Sequence, residues 1–168
     1  GLGKTIEAGH IMLELKARNE FRNALVICPI SLQAKWKAEL KDKFGLTFTI
    51  VESSKELIKM LQDHDGTVRA IINYDKIRSK IDSEKENELN PLLNYLSENS
   101  KKFSFILCDE AHKMRNETTQ TYKGAEKIME TADAVVFLTA TPIMISERNL
   151  YNLLHLLDNQ RYSNYSIF

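Results

Sequence analysis

Two short strings in this chain combine residue types that handle phosphate. The first five residues read Gly1-Leu2-Gly3-Lys4-Thr5, and residues 109–112 read Asp109-Glu110-Ala111-His112. In a glycine-rich loop the backbone N–H groups close around phosphate oxygens, a lysine reaches the outer phosphates, and a following hydroxyl helps hold Mg2+. The acidic string follows the apolar run 103–108. An acid at the end of a buried strand offers a second metal contact, and the next carboxylate can orient or deprotonate a water. The two strings therefore read as halves of one nucleoside-triphosphate site. Lys4 and Glu110 are its catalytic candidates, Gly1, Leu2, Gly3, Lys4 and Thr5 surround the phosphates, and Thr5 and Asp109 face the metal.

Such residues need elements behind them. Ala8, Ile11, Met12 and Leu15 recur at helical spacing, which predicts an amphipathic helix starting at the phosphate loop. Gly9 inside it costs about 1 kcal/mol against alanine and implies close packing. Residues 24–28, stopped by Pro29, predict a buried strand. Ser31 is expected to cap the next helix, where Leu32, Trp36 and Leu40 share one face and Trp36 reads as core. Further strands are expected over 46–51, 68–73, 103–108 and 134–138. Between them fall a helix with a Ser53–Glu56 capping box, one opening at Asn90-Pro91, and one over 117–130. A last helix, capped by Ser146, carries Leu150, Leu153, Leu154 and Leu157.

Alternation of strand and helix predicts a parallel sheet covered on both faces. The strings at 1–5, 29–36, 73–74, 109–112 and 139–142 then all fall where a strand gives way to a turn or its following helix. That edge is where open parallel sheets bind ligands.

With 168 residues, 43% of them hydrophobic, the chain has the size and apolar content of one domain. Lys plus Arg and Asp plus Glu both number 23, so no global basic field announces a nucleic-acid binder. Residues 1–44 carry eight basic and five acidic side chains, whereas 82–98 is acidic, and both runs read as solvated helix faces. Cys28 and Cys108 each close a predicted buried strand, where a thiol acts as a small apolar group. That usage predicts free thiols in a reducing, cytosolic setting. Neither a signal peptide nor a run of membrane-spanning length is read.

In chain order, GLGKTIEAG, CPISLQAKW, Asn73-Tyr74-Asp75, CDEAHKMRN and LTATPI resemble motifs I, Ia, Ib, II and III of one family. They are those of the first RecA-like lobe of Swi/Snf-type superfamily-two helicase-like ATPases, and the resemblance runs from residue 1 to about 157. The IEAG and TAT variants are similar to a bacterial branch that includes the RNA-polymerase recycling ATPase. The resemblance implies an α/β, RecA-like three-layer fold, ATP and Mg2+ as ligands, and ATP-driven movement along double-stranded DNA. A bacterial, cytoplasmic, nucleoid-associated protein is implied with it. Residue by residue, it puts Lys4 on the outer phosphates, Thr5 and Asp109 on Mg2+, and Glu110 beside the attacking water. His112, Thr139 and Thr141 would link the phosphate site to the DNA groove and a partner lobe, while Ser31 and Lys35 would touch the DNA backbone.

The resemblance also implies that the strand before the phosphate loop, and a second lobe carrying a transition-state arginine, lie outside these residues. Residues 1–168 would then be a truncated first lobe, inactive alone and prone to self-associate through the edge of strand 134–138. Three other functions stay open: an RNA helicase with an Asp-Glu-Ala-His box, the motor subunit of a restriction or phage-defence system, and a non-catalytic interaction module. Against the first, Pro29-Ile30-Ser31-Leu32 departs from the Pro-Thr-Arg-Glu pattern such helicases carry. Against the third, Lys4, Asp109 and Glu110 are all present.

Overall fold

A computed structural model describes residues 3–63, 67–79, 90–99, 103–140 and 146–167. Its strands are β1 (Ala24–Ile27), β2 (Thr49–Ile50), β3 (Arg69–Ile72), β4 (Phe105–Asp109) and β5 (Val135–Leu138). The helices are α1 (Gly3–Ala17), α2 (Ile30–Phe44), α3 (Ser54–Asp63), α4 (Pro91–Glu98), α5 (Gln120–Met129) and α6 (Glu147–Leu157). All strand pairs are parallel, in the order β2-β3-β1-β4-β5.

β1 and β4 lie at the centre, with Val26 level with Ile71 of β3 and Leu107 of β4. Every residue of both strands is buried, the unbroken apolar reading of a strand covered on two faces. Alternate side chains feed two separate cores. Ala24, Val26, Phe105 and Leu107 pack with Ala8 and Met12 of α1 and with Trp36 and Leu40 of α2. Leu25, Ile27, Ile106 and Cys108 pack with residues of α3, α4, α5 and α6. The result is the expected three layers, helix on sheet on helix.

Local chemistry explains most boundaries. Asn90 caps α4 through Leu92 N–H, with Pro91 as its first residue. Ser53 accepts from Glu56 N–H, while Glu56 reaches back to Glu52 N–H, so the box closes one residue earlier than its usual form. Ser146 caps α6 by accepting from Asn149 N–H. Gly45, at φ 63, ends α2 in the left-handed conformation, where a residue without Cβ carries no steric penalty. Gly9 lies under Phe44, whose ring would stand 2.3 Å from an added Cβ. The close packing expected there is present.

Four expectations need correction. Ser31 does not cap α2: the helix begins at Ile30, two residues earlier than a Ser31 cap would give, and its cap position is Pro29, which makes no side-chain hydrogen bond. The strand expected over 46–51 shrinks to Thr49–Ile50 because it is the outermost strand, and Leu46 and Phe48 turn into the α2 core instead. The 103–108 strand pairs over Phe105–Asp109, which makes Asp109 the last strand residue. The helix expected from 117 starts at Gln120, because Asn116 folds the chain into a turn with Thr118 and Thr119 supplies the cap. Among the described residues β5 pairs with β4 alone and stays half-buried throughout. No described helix is long and apolar enough to cross a membrane.

Candidate active site

β4 delivers Asp109 and Glu110 to the C-terminal edge of the sheet, opposite the first turn of α1. Lys4 Nζ lies 3.2 Å from Asp109 Oδ1 and 3.3 Å from Glu110 Oε1. Thr5, Leu32, Lys35 and Trp36 complete a cavity of about 110 Å3 around these three residues. The first turn of α1 holds no acidic side chain. Its N–H groups and dipole make this helix end a setting that favours phosphate.

The backbone that aims Glu110 is unusual. Glu110 is a non-glycine residue in the left-handed conformation, at φ 56 and ψ 47, which costs roughly 1–2 kcal/mol. Two bonds hold the turn in place. Glu110 N–H donates to Asp109 Oδ1 at 2.9 Å, and the Tyr74 hydroxyl donates to the Asp109 carbonyl oxygen at 2.6 Å. Glu110 is thereby swung to face both Lys4 and His112, whose Nδ1 stands 3.2 Å from Glu110 Oε2 without alignment for a hydrogen bond. Tyr74 opens a 3-10 turn, Tyr74–Ile77. That turn is pinned by Asn90, whose amide donates to the carbonyls of Lys76 and Arg78.

Burial and charge set the proton affinities. Desolvation works to lower the Lys4 pKa, but the hydrogen bonds and charges of Asp109 and Glu110 together outweigh it, and the net shift is upward. Lys4 is thus a firm cation at neutral pH. Cys28, at the end of β1, is pushed up to about 12, first by desolvation and then by the Asp109 charge. It remains a neutral thiol beside the site, and both cysteines are free and buried, as expected.

The structure brings Lys4, Thr5, Asp109 and Glu110 together as the sequence predicts. Gly3 stands at the start of α1. Gly1, Leu2 and Thr141 lie outside the described residues. Thr139 follows Leu138, the β5 residue level with Asp109. Ser31 and Lys35 are exposed on one side of α2, and Lys35 also lines the small cavity. His112 lines a second, larger groove of about 600 Å3 together with Tyr74, Asp75, Arg115 and Asn116. It therefore stands between the cavity and the groove.

Sequence reasoning missed two participants. Trp36 is core as expected, yet its Nε1 donates to Asp109 Oδ2 at 2.9 Å. A buried tryptophan in the second turn of the helix that follows a motif-bearing strand carries a signal for this, since its N–H needs an acceptor. Tyr74 was placed at the ligand edge, but its contact gave no signal, because its acceptor is a backbone carbonyl far away in the chain.

The oxygen donors at hand, the Thr5 hydroxyl and the Asp109 carboxylate in one cavity, suit a hard cation such as Mg2+. An ammonium, a helix N-terminus and two carboxylates thus meet at the edge of a parallel sheet in an α/β lobe, an arrangement suited to phosphate. All 168 residues match the SNF2-related domain, and the chain belongs to that family as a Swi/Snf-type, helicase-like first lobe. The five parallel strands among the described residues follow the RecA-like fold of the SWI2/SNF2 ATPase core.

The chain is similar to the Sulfolobus solfataricus SWI2/SNF2 ATPase core in complex with dsDNA, with a TM-score of 0.73 and 26% identity over 99% of this chain and 31% of that one. The core domain from the same organism gives a TM-score of 0.72 and 25% identity over 100% of this chain and 31% of that one. Among curated relatives, the RNA polymerase-associated protein RapA of Actinobacillus pleuropneumoniae serotype 3 (strain JL03) is 31% identical over 173 residues, covering 100% of this chain and 18% of that protein. RapA of Yersinia pestis (strain Pestoides F) is 29% identical over 174 residues, covering 100% of this chain and 17% of that protein. The chain thus spans less than a fifth of the length of these relatives.

Proposed function

We propose that this chain works as the first lobe of an ATP-dependent double-stranded DNA translocase, with ATP bound between it and a second RecA-like lobe. The observation that carries the reading is the Lys4–Asp109–Glu110 cluster at the N-terminus of α1. Lys4 and the first-turn N–H groups bind the outer phosphates, while Thr5 and Asp109 hold Mg2+. The ion they would hold would supply positive charge against the phosphates. Glu110 orients a water toward the γ-phosphorus and takes its proton as the new P–O bond forms. The bond to the β-phosphate oxygen breaks, and ADP leaves.

Ser31 and Lys35, exposed on α2, are proposed contacts for the DNA backbone. His112, Thr139 and Thr141 are the proposed link between nucleotide, DNA and partner lobe. The solved relative bound to dsDNA supports DNA as partner. Similarity to the RNA polymerase-associated protein RapA makes RNA polymerase a further candidate partner of the full-length protein in a bacterial cytoplasm. The test is ATP hydrolysis by the full-length protein that contains this chain. Double-stranded DNA should stimulate it more than RNA does, and Lys4→Ala should abolish it, because the charge on the outer phosphates is lost from ground and transition states alike. A larger response to RNA would move the reading to an RNA helicase, and near-normal turnover by Lys4→Ala would remove the site assignment.

A further inference from the structure

Asp109 is gripped from outside the phosphate-handling strings. Trp36, only 3% exposed, donates its indole N–H to Asp109 Oδ2 at 2.9 Å. The opposite oxygen, Oδ1, accepts the Glu110 N–H at 2.9 Å and faces Lys4 at 3.2 Å in the cavity that Thr5 lines. An indole N–H donates and cannot accept, so Trp36 can neither ligate a cation nor relay a proton. Its action on the carboxylate is to occupy Oδ2, and together with the Glu110 N–H on Oδ1 it fixes the plane of the group. The indole is itself held firmly: Gln33, Trp36 and Leu40 form the buried stripe of α2, and Trp36 packs in one core with Val26, Leu40 and Leu107. Tyr74, on the Asp109 carbonyl, holds the main chain of the same residue.

We propose that Trp36 is a positioning residue for the carboxylate that would hold Mg2+, occupying Oδ2 and so keeping the group turned toward the cavity of Lys4 and Thr5. This rests on the ATP-hydrolysis reading above. Partners that orient a metal ligand typically contribute roughly 10- to 100-fold to metal affinity. Trp36→Phe removes the N–H and leaves a ring in the core. In the full-length protein it should raise the Mg2+ concentration for half-maximal hydrolysis roughly tenfold or more.

A second measurement needs neither turnover nor that variant. The indole N–H resonance of Trp36, the single tryptophan of these 168 residues, should move when Asp109→Ala removes its acceptor. An unchanged Mg2+ dependence in a folded Trp36→Phe protein that still requires Lys4 would overturn the proposal. So would an indole resonance indifferent to Asp109→Ala, even where Trp36→Phe fails to fold. Hydrolysis that survives Lys4→Ala would overturn the ATPase reading instead, and the resonance would still report whether Trp36 holds Asp109.

Discussion

Glu110 and Lys4 share a contact of 3.3 Å, yet the two residues differ in what their loss should do. In the proposed reaction Lys4 supplies charge that any bound triphosphate feels, whereas Glu110 supplies a basic oxygen needed only when water is activated. Glu110→Gln keeps the size of the side chain and removes that base, so nucleotide binding should persist while hydrolysis falls roughly 10²- to 10⁴-fold. Single-turnover hydrolysis beside equilibrium nucleotide binding checks this, and a variant that binds no nucleotide would give Glu110 a different role. These residues were legible in the sequence because phosphate chemistry needs particular atoms: an ammonium, a hydroxyl and paired carboxylates. What aims them was not legible. The left-handed turn at Glu110 and the grip of Trp36 and Tyr74 on Asp109 exist only when β4, α2 and the Tyr74 turn meet in space.

Two helical glycines look alike in sequence and differ in the fold. An added Cβ at Gly9 meets the far end of the Phe44 ring, which can swing aside. At Gly124 in α5 it would lie 1.6 Å from the Ile77 carbonyl oxygen, which belongs to backbone. α5 thus lies directly on the turn that carries Tyr74. Alanine ordinarily gains about 1 kcal/mol over glycine inside a helix. Gly124→Ala should instead destabilise by about 2 kcal/mol, because overpacking against backbone outweighs that gain. The corresponding fall in Tm is roughly 4–8 °C. Thermal melts of both variants decide: Gly9→Ala should stay near wild type, and a Gly124→Ala protein as stable as wild type would show that α5 can move off the turn. Central elements were read well from sequence, since β1 and β4 are apolar on both faces and need no partner to be recognised. The edge was read poorly. β2 depends on which of its residues pair and which turn into the α2 core, and the start of α2 depends on Pro29 rather than on the hydroxyl of Ser31.

At the scale of the molecule, one sheet separates two cores and carries ionisable groups through its middle without charging them. The Cys28 thiol is pushed up to about 12, first by desolvation and then by Asp109. Desolvation likewise raises Cys108 and Tyr74 well above their ordinary values and pushes Tyr122 up to about 12. Lys4 is also raised, its carboxylate partners outweighing the cost of burial. All five shifts have the same sign. In the unfolded chain the thiols titrate near 9 and the phenols near 10, so above those values the unfolded state binds fewer protons than the fold. Stability must therefore fall as pH rises. Each contribution is whole below the unfolded pKa and is lost as pH climbs through the folded one. The sequence, with equal numbers of acids and bases, gave no hint of this asymmetry, because it arises from burial rather than composition. We predict a Tm that holds steady up to about pH 9 and then declines toward pH 12, following the window set by Cys28 and Tyr122. Replacing both buried thiols by alanine should leave the decline in place but shift its onset upward by about one unit, to where the phenols begin to titrate. A Tm unchanged between pH 9 and 11 would mean that the central thiols and phenols reach solvent in the native state, contrary to their burial between the two cores.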